Sequence, residues 1–433
     1  MIGVGSRSDQ PAGSRTGTNR SPTTGEPSGR QRLPFPDELP DDARGGAWTG
    51  VRLRGLDPEA ERPYWIALAL LPGVGQVGFA RLLSRYGSAA AAWRAGQVVL
   101  QHLPRVPQEA ALALHRLQRQ SAEAVADEVI QAATRHGLRI VTALDERYPA
   151  ALQRLDPRPP VLYVAGELDA VEGSCAAVVG TRRPSGYGRA VATEIGDELA
   201  RAGVTVVSGL ALGIDGHAHQ AAVAAGGRSV AVLPSALDRV YPPGHRTLAR
   251  RLVDGGGALL SELPPGRPAA RPDFARRNRV IAGISEAVIV VEAPDRSGAL
   301  LTAQAAIDYG KELYAVPGPI DSRTSRGCNR LIADQTACIV TSAVSLLNRI
   351  GLARGSIGPV SVRNLSDAEG LILARLLNRS ASIEELLAAT RLSPGTLASG
   401  LTLLEARGLV TSFGGATFHA TLAARRIGQP RTD

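Results

Sequence analysis

The segment DFARRNRVIAGISEAVIVVEA, residues 273–293, sets Arg276, Arg277 and Arg279 around Asn278, with no acidic residue between Asp273 and Glu286. A guanidinium is a planar fork that grips phosphate or carboxylate oxygens two at a time. Three of them ahead of an apolar run are either a solvated helix end or an anion site. Two further groups favour the site. Arg182, Arg183 and Arg189 fall in and just after GTRRPSGYG (180–188), and Arg323, Arg326 and Arg330 fall in PGPIDSRTSRGCNR (317–330).

Candidates for catalysis are weaker. Asp215 and His219 are four apart on one helical face and His217 is close, but His217 and His219 do not share a face and no third ligand is evident. Asp215 fits better as a helix-start aspartate capping backbone. Ser208-Gly209 and Ser297-Gly298 are not GxSxG elbows, and no Walker A sequence is present. GTRRPSGYG is not GxGxxG, and VTVVSG (204–209) ends without the acid that would hold a ribose, which disfavours NAD. Cys175, Cys328 and Cys338 form no CxxC pair, so neither a zinc site nor a disulfide framework is expected, and a reducing cytoplasm fits. No cofactor, metal or catalytic set is expected. Glycine amides and arginine forks suit repeated phosphates, and Phe274 or Tyr187 would each stack on one base, as single-stranded nucleic acid requires.

These residues need a frame. Apolar runs at 175–180, 204–209, 229–234, 258–262, 287–293 and 312–318 alternate with helical stretches. Continuous apolar strands between helices predict a doubly wound, mostly parallel α/β sheet, covered on both faces, over residues 139–345. In such a sheet helix N-termini and strand C-termini share one rim, where ligands bind. The loops carrying the arginines fall on that rim. Val280, Ile281 and Ile284 are expected to face the sheet. Arg276 and Arg277, one turn upstream, are expected on the same stripe with their heads emerging at the helix N-terminus.

The remaining chain divides by composition. Residues 1–57 are expected to form a disordered Gly/Ser/Pro/Arg tail. Residues 58–138 have helical apolar spacing, and LPGVG (71–75) makes a helix, Gly turn, helix arrangement. That arrangement occurs in helix-hairpin-helix modules, whose turn meets a phosphate, and in ordinary hairpins; only Arg81 and Arg85 follow it, which favours the ordinary one. Residues 346–364 are a linker, 365–421 have a winged-helix pattern, and 422–433 are a tail. Residues 363–407 balance basic and acidic side chains, so a protein contact is favoured there over base readout. Overall, 49 basic residues stand against 40 acidic, a net +9 that points to an anionic partner, and no apolar run is long enough to span a membrane.

VVGTRRPSGYG, SGLALGIDGHAH, VLPSALDRVYP, SELPPG, FARRNRVIAGIS, VVEAPDRSGALLTAQAA and YAVPGPI…GCNRLI, taken in this order, resemble the DNA processing protein A family (DprA, also called Smf) over about residues 60–345. The resemblance implies an extended Rossmann-like core that dimerises, binds single-stranded DNA and helps load the RecA recombinase in DNA processing and natural transformation. It also implies a helical N-terminal domain of helix-hairpin-helix (SAM-like) type and a C-terminal winged helix. The family's phosphate pocket maps onto Gly180, Thr181, Arg182, Ser208, Gly209, Arg277, Asn278, Arg279, Ser297, Gly298 and Thr302, and its preceding basic and aromatic positions onto Arg271 and Phe274. This chain departs at Pro234 and Ala236, where glycines are usual, at Gln335-Thr336 in place of Gly-Ala, at Thr181, where serine is commoner, and at Leu212, which is basic in some relatives. The alternative is a nucleotide-metabolising enzyme like the phosphoribohydrolases, which place a glutamate after a Gly-rich motif; Gln304 stands in the comparable region.

Overall fold

A computed structural model of the chain describes residues 48, 53, 55–96, 108–350, 365–378, 380–407, 409–413 and 417–420. Most of the expected tails (1–57 and 422–433) and of the linker (346–364) lie outside the described residues. Trp48, inside the expected N-terminal tail, is buried: its ring stacks on Phe79 and its backbone N–H donates to Asp156 Oδ1 at 2.9 Å.

Among the described residues the core is a nine-stranded sheet in the order β1-β2-β6-β5-β4-β3-β7-β8-β9. Its strands are β1 (Arg139–Thr142), β2 (Val161–Gly166), β3 (Cys175–Val179), β4 (Thr205–Ser208), β5 (Ser229–Val232), β6 (Ala258–Ser261), β7 (Ala287–Val290), β8 (Glu312–Ala315) and β9 (Cys338–Ile339). β3 to β9 pair in parallel, and all six apolar runs of the sequence became parallel strands. β3 to β7 are buried at every position, as two covered faces demand. β1 and β2 extend the sheet antiparallel beyond β6.

One face carries the Gly186–Arg201 and Ile214–Ala224 helices, which approach so closely that a Cβ on Gly196 would lie 2.6 Å from the Ala218 carbonyl. Ile195, Leu199, Ile214 and Ala218 pack there on Val206 and Ile289. The Arg271–Ile284 and Ala299–Asp308 helices carry the connections on either side of β7. The N-terminal helices Pro58–Ala69 and Ala122–Arg135 close the β1 end: Ile66, Ala126 and Ala133 share a core with Ile140, Tyr163 and Leu259. Arg62 pins that packing, donating to Asp145 at 2.8 Å and to the Ile140 carbonyl at 2.6 Å.

Helices Asp367–Asn378, Ile383–Thr390 and Pro394–Ala406, with β10 (Ala381–Ser382), β11 (Val410–Phe413) and β12 (Thr417–Ala420), form a winged helix with its own core of Ile372, Leu376, Leu386, Leu401 and Leu404. The wing strands β11 and β12 are joined to a third, short strand, β10. Arg407, the arginine at the end of the third helix, is tied back to Glu369 at 3.2 Å.

β3 lies between β4 and β7, so the chain leaves β3 toward one side and β7 toward the other. Loops that diverge at strand C-termini leave a crevice between them.

Candidate functional site

The crevice is a hollow of about 380 Å³. Gly180, Thr181, Arg182 and Arg183 form one wall, and Arg296, Ser297, Gly298 and Thr302 the other. Phe274, Arg277, Asn278 and Ile281 form its base. Those four lie at i, i+3, i+4 and i+7 of the Arg271–Ile284 helix, a single stripe of a 3.6-residue repeat. The ten-residue Ala299–Asp308 helix starts at the hollow, where its N-terminal dipole favours an anion.

Close packing fixes the first wall. A Cβ on Gly180 would lie 2.5 Å from Ile214 Cγ1 and 2.8 Å from the Glu292 carbonyl. Thr181 N–H donates to that carbonyl at 2.7 Å, and its own carbonyl accepts from Ile214 N–H. Glu292, buried at the end of the β7 run, accepts from Ser185 N–H and Oγ at 2.8 and 2.7 Å and from Thr324 Oγ1 at 3.0 Å. One carboxylate thus clamps the loop after β3 to the loop after β8. The sequence reading passed over Glu292; the carboxyl end of an otherwise apolar strand was its signal.

The arginines of the opening segment separate. Arg277 is buried beneath the hollow instead of emerging at the helix N-terminus. Its Nη1 donates to the Gly209 and Val232 carbonyls at 2.5 and 2.6 Å, and its Nε to Asn278 Oδ1 at 3.1 Å. Burial pulls its pKa down to about 10, with Asp215 opposing the shift and Arg182 adding to it. Asp215 accepts from Gly209 N–H at 3.0 Å and Ala211 N–H at 3.4 Å, so it caps the loop before its own helix. Burial raises its carboxyl pKa, and Arg277 and the two N–H groups pull it back. Arg276 does not share the stripe of Arg277; it pairs with Asp273 at 3.5 Å. Arg279 turns away from the hollow, donating to Gln76 Oε1, while Gln76 Nε2 donates to Glu262. The hairpin that follows LPGVG is therefore wired to the core through its buried Gln76.

Of the other expected residues, Asn278 Nδ2 holds the Gly298 carbonyl at 3.2 Å and so anchors the second wall. Ser208 is buried, its hydroxyl donating to the Val178 carbonyl at 2.6 Å, and stays outside the lining. Gly209 lines an adjoining small hollow. Arg271 is exposed at the start of its helix and outside the lining. Tyr187 donates to the Pro317 carbonyl at 3.1 Å, and Arg330 pairs with Asp295 at 3.4 Å. Arg296 was not singled out in the sequence, although it stands beside Ser297 and Gly298. Gln304 donates to Asp308 at 2.9 Å and is not part of the lining.

The residues along these loops match known proteins. The family model described as DNA recombination-mediator protein A matches residues 139–351, and the one described as DprA winged helix domain matches residues 359–416. Protein Smf of Synechocystis sp. is 31% identical over 389 residues, covering 81% of this chain and 97% of that one. The chain belongs to the DNA processing protein A (DprA/Smf) family. DNA processing protein DprA of Bacillus subtilis is 35% identical over 223 residues, 51% of this chain and 74% of that one. The X-ray structure of DNA processing protein A from Streptococcus pneumoniae is similar with a TM-score of 0.56 and 30% identity, over 66% of this chain and 96% of that one. For this DprA-family chain the mixed, mostly parallel sheet and the C-terminal winged helix are thus those of its family. Among the described residues no helix is long and apolar enough to cross a membrane.

Proposed function

We propose that this chain binds single-stranded DNA in the hollow between the β3 and β7 loops and acts as a recombination mediator that loads RecA onto the bound strand. One observation carries the reading: exposed Arg182, Arg183 and Arg296 enter from two different loops and meet a helix N-terminus above the buried Arg277. Cations on separate loops around one concavity serve a chain of phosphates better than a lone carboxylate. Family membership adds DNA processing as the setting, and the net charge of +9 favours a polyanion. The function is binding without catalysis, in the cytoplasm, by a homodimer formed through the Rossmann-like core. The carboxylates beside the hollow support binding without catalysis, since Asp215 and Glu292 are both engaged by backbone or hydroxyl donors.

The test is a gel shift with single- and double-stranded oligonucleotides, with and without RecA, alongside light scattering for the dimer. Expected are preference for the single strand and faster RecA coverage of it. Equal or absent binding of both strands overturns the reading. Release of free base from nucleoside monophosphates, abolished by Arg182→Ala, would establish the hydrolase alternative.

A further inference from the structure

Phe274 is one of the two aromatic residues, with Tyr187, that the sequence offers as a base platform, yet its ring is already engaged. The Arg182 guanidinium carbon sits 5.5 Å from the Phe274 centroid, a cation–π contact. Tyr241 stands against the same ring, centroids 6.1 Å apart and planes at 87°. Tyr241 itself is 45% exposed, and Leu212 beside it is 50% exposed. Both line a small hollow together with Pro242 and Gly209. This hollow and the large one share Arg182, Ala211, Phe274 and Arg277 as walls. An apolar corner that a charged cleft adjoins through a common arginine has the layout of one nucleotide, phosphate on one side and base on the other.

We propose that Tyr241, with Leu212 and Pro242 around it, is the stacking platform for a nucleobase whose phosphate is held by Arg182, and that Phe274 props Arg182. The inference rests on the single-strand reading above and adds a base subsite to it. The occupant is an unpaired base, because only an unstacked base presents a face to an exposed ring. Leu212, Pro242 and the Tyr241 ring offer apolar surface, so the subsite accepts any base by its π-face. Tyr241 is a binding residue, and Phe274 a positioning residue acting through Arg182.

The experiment measures full-length protein on an oligo-dT strand and on a strand of equal length made of abasic residues. Tyr241→Leu is expected to lose about fivefold or more in affinity for dT, the low end of base–aromatic stacking, and nothing on the abasic strand. Tyr241→Trp restores dT binding, which a merely structural role of Tyr241 would not produce. Phe274→Leu weakens both strands alike. Tyr241→Leu falling equally on both strands, or unchanged on dT, overturns the platform while leaving wild-type binding intact. Wild-type protein that binds neither strand overturns the single-strand reading itself, and the platform with it.

Discussion

The Arg277 guanidinium packs directly on Gly209: Nη1 donates to the Gly209 carbonyl at 2.5 Å, and a Cβ on residue 209 would lie 2.5 Å from that same nitrogen. The glycine and the arginine, 68 residues apart, therefore require each other. With Val232, the contact ties the C-terminal ends of β4 and β5 to the helix beneath the hollow. Arg277→Ala leaves two carbonyls without their donor and Asp215 without its facing cation. It is expected to lower unfolding stability by about 3 kcal/mol. Gly209→Ala should lose a similar amount, because the guanidinium must leave its acceptors. Urea unfolding of the two variants checks this; midpoints equal to wild type would refute the staple.

Arg182 is the contrasting case. It is exposed, lies over the Phe274 ring, and reaches into both hollows. Arg182→Ala is expected to leave the urea midpoint within about 0.5 kcal/mol of wild type. It should weaken single-strand binding and reduce the slope of log affinity against log salt by about 0.7. An unchanged slope with intact folding would remove Arg182 from the phosphate path.

That contrast shows what was legible in the sequence. The six apolar runs and their alternation with helices identify the parallel sheet, because burial on both faces leaves a mark in composition. The rim follows from topology, and nine of the expected residues do line the hollow: Gly180, Thr181, Arg182, Phe274, Arg277, Asn278, Ser297, Gly298 and Thr302. The direction of each arginine was not legible. At about 100° per residue, Arg277, Asn278 and Ile281 fall within about 60° of Phe274 around the helix while Arg276 falls about 160° away, so the four share a stripe that Arg276 leaves. Whether a guanidinium meets solvent or a pair of carbonyls depends on which strand ends pass beneath it, and those lie far away in sequence. Tyr241 was missed because no periodic element contains it; β1 and β2, short and joined by a long Pro-containing stretch with the Ala150–Gln153 helix in it, gave no hairpin signal.

Arg279 joins the Arg271–Ile284 helix to the N-terminal hairpin through Gln76, and it is 6% exposed. Arg279→Met keeps the bulk but removes the donor to Gln76 and the cation near Glu262. It should cost about 2 kcal/mol in stability, the order for one buried charged hydrogen bond, with no change in the salt slope. A fall in salt slope like that of Arg182→Ala would place Arg279 on the DNA instead.

His219 gives the fold an acid limit. It is fully buried, and its Nδ1 lies 2.7 Å from Ser229 Oγ, while that hydroxyl gives its own proton to the Val206 carbonyl at 2.9 Å. Nδ1 must therefore carry the proton toward Ser229, and Nε2 is buried with no partner, so the ring is neutral. Burial foremost, with His245 and Arg277 nearby, lowers its pKa from 6.5 to about 3. Between those values the unfolded chain binds a proton that the folded chain refuses. The stability His219 contributes is thus complete above its unfolded pKa and is lost as pH falls toward the folded one. Its share of the slope approaches about 1.4 kcal/mol per pH unit well below pH 6.5. His219→Gln cannot take up that proton, so its stability, measured by urea unfolding between pH 7 and 5, should fall less steeply than wild type. Parallel curves for the two proteins would mean that the histidine is protonated equally in both states, and that the buried neutral ring is not what limits the fold in acid.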